Sequence, residues 1–171
     1  MGFTNPLEAA ILSRNETAAL QLIAGRQFVR SRNHERLTAL HWAAQYGQFS
    51  VVKALVAAGA DLEAVNINGN RPLHAAVGSR SADPNIVKLL LKSGAEVNAR
   101  GVYGTTALHI AACIASRGQA LRIAAILIEG GADVNVRAEQ LWDQSPLEIG
   151  EQNHPGFVDE LCSRGVLRGF Y

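Results

Sequence analysis

The 171-residue chain is poor in several residue types that usually announce a function. It has two cysteines, Cys113 and Cys162, so no disulfide framework is implied and reduced thiols are the default. Aromatics make up 6% of the chain, and alanine and leucine dominate its apolar set, a composition suited to closely packed helices rather than a β-sandwich. Neither sign of charge prevails: sixteen basic residues face fifteen acidic ones, for a formal charge of +1. Nucleic-acid binding usually rests on a concentrated basic field, which this balance does not supply. Arg26, Arg30, Arg32 and Arg36 form a local basic stripe, read here as solvated loop charge. No run approaches eighteen apolar residues, so no spanning helix is expected. The first residues carry no basic region, and Glu8 interrupts their apolar stretch, which argues against a secretory signal. Pro6 stands where a Met1-Gly2 acylation motif wants serine or threonine, and Asn15-Glu16-Thr17 is read as a chance sequon within a helix. The expectation is a cytoplasmic protein without membrane contact.

What the chain does have is repetition. Thr38-Ala39-Leu40-His41-Trp42-Ala43-Ala44 returns as Arg71-Pro72-Leu73-His74-Ala75-Ala76 and as Thr106-Ala107-Leu108-His109-Ile110-Ala111-Ala112. Weaker copies begin at Asn5-Pro6-Leu7-Glu8 and Ser145-Pro146-Leu147-Glu148, so the starts at 5, 38, 71, 106 and 145 are spaced by 33, 33, 35 and 39. A second signature keeps step, with Val51-Val52-Lys53-Ala54-Leu55 before Gly59 matching Ile86-Val87-Lys88-Leu89-Leu90 before Gly94. It returns at Ile123-Ala124-Ala125-Ile126-Leu127 before Gly131. Two phased signatures at one period predict a stack of helix pairs, because each pair leaves an apolar flank that only another pair can cover.

The residue types explain the elements. Threonine or serine caps the first helix, a following proline suits its first turn, and paired alanines let neighbouring helices approach closely. Asp83-Pro84 starts the second helix of the third repeat, and Gly59, Gly94 and Gly131 end second helices in a left-handed residue. Asn5 with Glu8 and Ser145 with Glu148 have the spacing of a capping box, which predicts that both terminal copies close one.

Over nearly its full length the chain resembles the ankyrin repeats, with three good internal copies and two degenerate terminal ones. The resemblance implies an all-α repeat solenoid of stacked helix-turn-helix pairs with β-hairpin-like loops. It would be a single domain over 1–171, with approximate repeats 5–37, 38–70, 71–105, 106–144 and 145–171. Gly69 and Gly104 take the left-handed place in the hairpins, and Asp143 can tolerate it. Arg36 stands at that place in the first hairpin, which is therefore expected to deviate most. Extra residues fall between paired helices at 78–83 and 115–119, expected as neighbouring surface loops, and within the fourth hairpin.

The resemblance also implies a non-catalytic protein–protein interaction module, whose partner lies against the hairpin tips and the concave face of the first helices. Carried over by position, the partner-binding candidates are Tyr46, Ile67, Asn68, Val102, Tyr103, Thr105, Ile114, Leu141, Trp142 and Gln144, with Val77 and Cys113 on the same inner row. Ile67, Val102, Tyr103, Leu141 and Trp142 are apolar for hairpin tips, and Trp142 and Tyr103 are the leading anchors. Trp42, in place of the usual leucine, is expected to be partly buried.

His41, His74 and His109 invite a metal reading, but successive repeats would hold them about 8–10 Å apart. Ligands of one zinc must each come within about 2.1 Å of it. Backbone-bonded histidines are expected instead. Asp61, Glu96 and Asp133 follow the helix-ending glycines in step and are read as turn chemistry. Nucleotide loops, nucleophile elbows and dinucleotide fingerprints are absent. No catalytic residue, cofactor or metal is assigned. The partner is expected to be a protein, in the narrower reading a toxin or effector that the module inhibits as an immunity protein, with the chain itself monomeric. Thirteen arginines to three lysines fit a GC-rich genome, the setting for that analogy. A scaffold or adaptor role is the alternative; a nucleic-acid binder or an enzyme would be of another class.

Overall fold

The computed structural model describes residues 5–79, 82–138 and 143–167. Its helices come in pairs: α1 Pro6–Leu12 with α2 Glu16–Ala24, α3 Ala39–Gln45 with α4 Phe49–Ala57, and α5 Pro72–Val77 with α6 Pro84–Lys92. The later pairs are α7 Ala107–Ala112 with α8 Arg117–Glu129 and α9 Pro146–Asn153 with α10 Phe157–Ser163. Strand pairing among the described residues is confined to two isolated antiparallel bridges, Arg32 with Thr38 and Ala138 with Gln144. The fold is an all-α repeat. It divides into two compact units, Met1–Ala95 and Glu96–Tyr171.

In the first unit α3 packs between α1 and α5, and α4 between α2 and α6. Small side chains make the inner contact possible: Ala39, Ala43, Ala44 and Ala76 are all buried. The second helices supply bulk, with Val51, Val52, Leu55, Ile86, Val87 and Leu90 fully enclosed. Burying each such side chain is worth roughly 1.5–3 kcal/mol, far more than the propensity of helices six to nine residues long. The Gln48 side chain, at the start of α4, donates across the pair boundary to the Ile11 carbonyl (2.7 Å).

In the second unit α7 packs on α8 and α9, and α10 on α8 and α9. Phe157 is its largest fully buried side chain, and it fits because residue 150 is glycine. A Cβ at Gly150 would stand 2.4 Å from the Phe157 ring.

The expected left-handed helix ends are present at Gly59 (φ 80°), Gly94 (96°) and Gly131 (92°). The first repeat departs from them, with Arg26 (φ 53°) at that place and Phe28 left-handed as well (φ 61°). The first hairpin does not deviate as expected. Arg36 adopts the left-handed conformation itself (φ 59°), and Asn33 compensates. Its Oδ1 accepts the N–H groups of Glu35 (3.0 Å) and Leu37 (2.9 Å). Asn66 does the same for Asn68 and Asn70 in the second hairpin, at 2.9 and 3.0 Å.

The two inter-helix insertions meet the expectation of surface loops in part: Gly78 and residues 115–118 are exposed, residues 80 and 81 lie outside the described residues, and each segment also feeds the helix that follows. In the third repeat Ala82 is buried, and Asp83 caps α6 by accepting the Asn85 N–H (2.8 Å). In the fourth, residues 117–119 form the first turn of α8, which runs to thirteen residues. That turn has a partner to stabilise it. Arg117 donates to the carbonyls of Pro155 (2.9 Å) and Gly156 (3.3 Å) and pairs with Glu160 (3.2 Å).

Candidate functional site

The three histidines of the central repeats are structural. The Thr38 N–H donates to His41 Nδ1 (3.2 Å), that of Arg71 to His74 Nδ1 (3.2 Å), and that of Thr106 to His109 Nδ1 (3.1 Å). With Nδ1 accepting, the ring proton sits on Nε2, which donates from His41 to the Asn70 carbonyl (3.1 Å) and from His109 to that of Gln144 (3.2 Å). Burial holds both imidazoles below their ordinary pKa, hence neutral. The His41 and His109 rings tie their own helix starts to the backbone of the following repeat. No group of three potential metal ligands occurs among the described residues.

The periodic acids are turn formers, as their spacing implies. Asp61 Oδ1 accepts the Glu63 N–H (3.0 Å), Glu96 Oε1 that of Asn98 (3.2 Å), and Asp133 Oδ1 that of Asn135 (2.9 Å). One oxygen of each is committed to a backbone N–H, and Asp61 Oδ2 pairs with Arg32 (3.2 Å). Cys113 ends α7, and desolvation pushes its thiol up, away from thiolate reactivity.

The partner-binding candidates separate by exposure. In the first unit Ile67 is 61% exposed and Asn68 is exposed beside it. The tip that carries them is fixed from both sides, by the Asn66 side chain and by the Ile67 N–H donating to the Glu35 carbonyl (3.0 Å). Tyr46 is half-buried and stacks on Trp42, ring centroids 6.0 Å apart and planes 18° from parallel. Trp42 is itself half-buried, as expected, and its indole N–H lacks a partner.

In the second unit Tyr103 is 57% exposed on a single 3-10 turn, Val102–Gly104, where its own backbone is left-handed (φ 58°). Val102 is half-buried. Thr105 leaves the surface set: it is 5% exposed, and its hydroxyl donates to the Val102 carbonyl (2.7 Å). Ile114 and Gln144 are half-buried, and their carbonyls accept from His154 (2.8 Å) and His109 (3.2 Å). Val77, on the first unit's inner row, is fully buried and offers a partner nothing. Leu141 and Trp142 lie outside the described residues.

Two features escaped sequence reading. Phe28 is 37% exposed at the place where later repeats carry Asp61, Glu96 and Asp133, and a strained aromatic there has no periodic signal. Glu8 is fully buried, although its counterpart Glu148 is exposed.

No helix among the described residues is long and apolar enough to cross a membrane. A search of curated proteins finds no match to the chain. The family model for ankyrin repeats (three copies) matches residues 7–101 and 65–138. Together with the paired helices, the small-residue inner faces and the histidine links between repeats, that match places the chain in the ankyrin-repeat family, whose members are generally protein–protein interaction modules.

Proposed function

We propose that this ankyrin-repeat protein is a non-catalytic binding module that engages a partner protein through its hairpin tips and the adjoining first helices. The observation that carries the reading is the presentation of Ile67 and Tyr103, each more than half exposed on a hydrogen-bonded tip. Apolar side chains in water at fixed backbone positions serve as interface anchors at little ordering cost. Tyr103 is presented on a left-handed backbone (φ 58°), which costs about 1 kcal/mol or more. Tyr46, Asn68, Val102, Ile114 and Gln144 are the flanking residues in this reading; Trp142 and Leu141 keep the role proposed from their hairpin position. In its narrower form, the module masks the working surface of a toxin or effector, as an inhibitor or immunity protein does.

Quantitative co-purification from the native host tests both levels. The Ile67→Ser/Tyr103→Ala variant is expected to lose a partner that wild type retains, by tenfold or more, with its melting temperature unchanged. Retention of the same partners by the variant would exclude the tips as the binding surface. A partner whose activity is undiminished in the complex would exclude the masking role while leaving the module reading intact.

A further inference from the structure

Glu8 occupies, in the first repeat, the helical position held by His41, His74 and His109 in the next three. In those repeats that position carries a buried side chain, and in His41 and His109 its outer N–H donates to the backbone of the following repeat. Glu8 is just as buried, at 0% exposure, and neither carboxyl oxygen has a hydrogen-bond partner. A capping box would have satisfied it, but only half of one forms. Asn5 Oδ1 accepts the Glu8 N–H (2.9 Å), without the reciprocal bond that Glu148 makes to the Ser145 N–H (2.7 Å). An ionised carboxylate buried without partners costs several kcal/mol, which a bound proton avoids.

Of the titratable groups on the neighbouring elements, His34 is the one whose charge acts on Glu8. α2 brings Glu16, exposed in its first turn, and α3 brings His41, buried and neutral. The first hairpin brings His34, Glu35 and Arg36, all exposed. Desolvation pushes the Glu8 carboxyl up from its ordinary value of 4.5; the Asn5 carboxamide and His34 pull it back only in part. In repeat register, residue 8 corresponds to His41 and Leu37 to Asn70, so a protonated carboxyl would carry an O–H where the later repeats carry the imidazole N–H. The Leu37 carbonyl already accepts one bond, from the Asn33 N–H (3.0 Å), and a carbonyl has a second lone pair.

We propose that Glu8 is a proton-dependent latch on the first repeat: as a neutral acid it lets α1 seat against α3, and on losing its proton it loosens α1 and α2 from the pair that follows. The folded state then binds a proton that the open state releases. The latch holds fully below the open-state pKa and weakens as pH rises from there through the elevated folded value.

Two measurements on the full chain test the latch. The Glu8 side-chain carboxyl carbon, assigned by through-bond correlation in wild type, is expected to titrate with a midpoint above 4.5. A midpoint at or below that value overturns the proposal. Amide exchange in α1, corrected for its intrinsic pH dependence, gives the opening equilibrium. In wild type this should rise with pH, approaching about tenfold per pH unit between the two pKa values. Glu8→Gln, which keeps a neutral donor, and Glu8→His, which installs the residue of the other repeats, should both flatten the profile. A flat wild-type profile, or one as steep in both variants, overturns the latch. Should Glu8→Gln fail to fold, Glu8→His and the wild-type titration decide it.

Discussion

Glu8 and Glu148 replace histidine at the same helical position of the first and last repeats, and they meet opposite surroundings. Glu148 is exposed, takes the Ser145 N–H and pairs with Arg137 (3.1 Å), and those hydrogen bonds hold its carboxyl below the ordinary range. Glu8 is enclosed and unpartnered, and burial pushes it the other way. α1, which carries Glu8, packs against α3 of the second repeat, whereas α9, which carries Glu148, packs on α7 and α10. One residue type with one local spacing therefore becomes a buried acid at one place and a helix cap at the other.

The two repeats also differ in how they are held, which gives three ways to probe the contrast. The largest effect is expected at Gly150→Ala. The added Cβ would overlap the buried Phe157 ring, with its three nearest ring atoms at 2.4, 2.6 and 3.1 Å. A loss of about 1–3 kcal/mol in urea unfolding is expected, centred on α9 and α10. A neutral result would mean that the last repeat is loosely packed and held by its polar bonds.

Arg117→Ala comes second. It removes the donor to the Pro155 and Gly156 carbonyls and the pair with Glu160, at a cost of about 1 kcal/mol because the side chain is nearly half exposed. Amide exchange should speed up at the start of α8 and around Gly156 while α1 to α6 are unaffected.

The smallest effect, and the sharpest in sign, belongs to Glu148→Gln. Glu148 has a lowered folded pKa, so its contribution is present above about 4.5 and lost as pH falls through the folded value. The variant should match wild type at low pH and melt slightly lower near neutrality. Glu8 has a raised folded pKa, and the pH dependence of its contribution runs the other way. Melting profiles of the two positions that slope in the same direction would end the contrast.

Periodic features were legible in the chain because each is set by contacts within one turn or between one repeat and the next. The helix-ending glycines, the capped helix starts, the acid-initiated turns and the histidine roles all fall in this class. Arg36 was misread because arginine disfavours a left-handed backbone in isolation, and the compensating Asn33 network outweighs that preference. The insertion at 115–119 was legible as surface but not as helix, because extra residues can loop out or lengthen a helix. Arg117 settles that choice by bonds to backbone 38 and 39 residues further on. Of the candidate surface, Ile67, Asn68 and Tyr103 were legible as apolar or polar tips, but the burial of Thr105 and Val77 depends on packing that position in a repeat does not reveal.

The histidine links have a direction that bears on synthesis. His41 needs the carbonyl of Asn70, and His109 that of Gln144, both belonging to backbone made later. A buried donor left without its acceptor costs about 1–3 kcal/mol. A chain emerging from the ribosome therefore carries, at its newest finished repeat, an imidazole waiting for an acceptor not yet translated. The second and fourth repeats would lock only when 29 and 35 more residues have cleared the exit tunnel, so at these two repeats folding would trail translation.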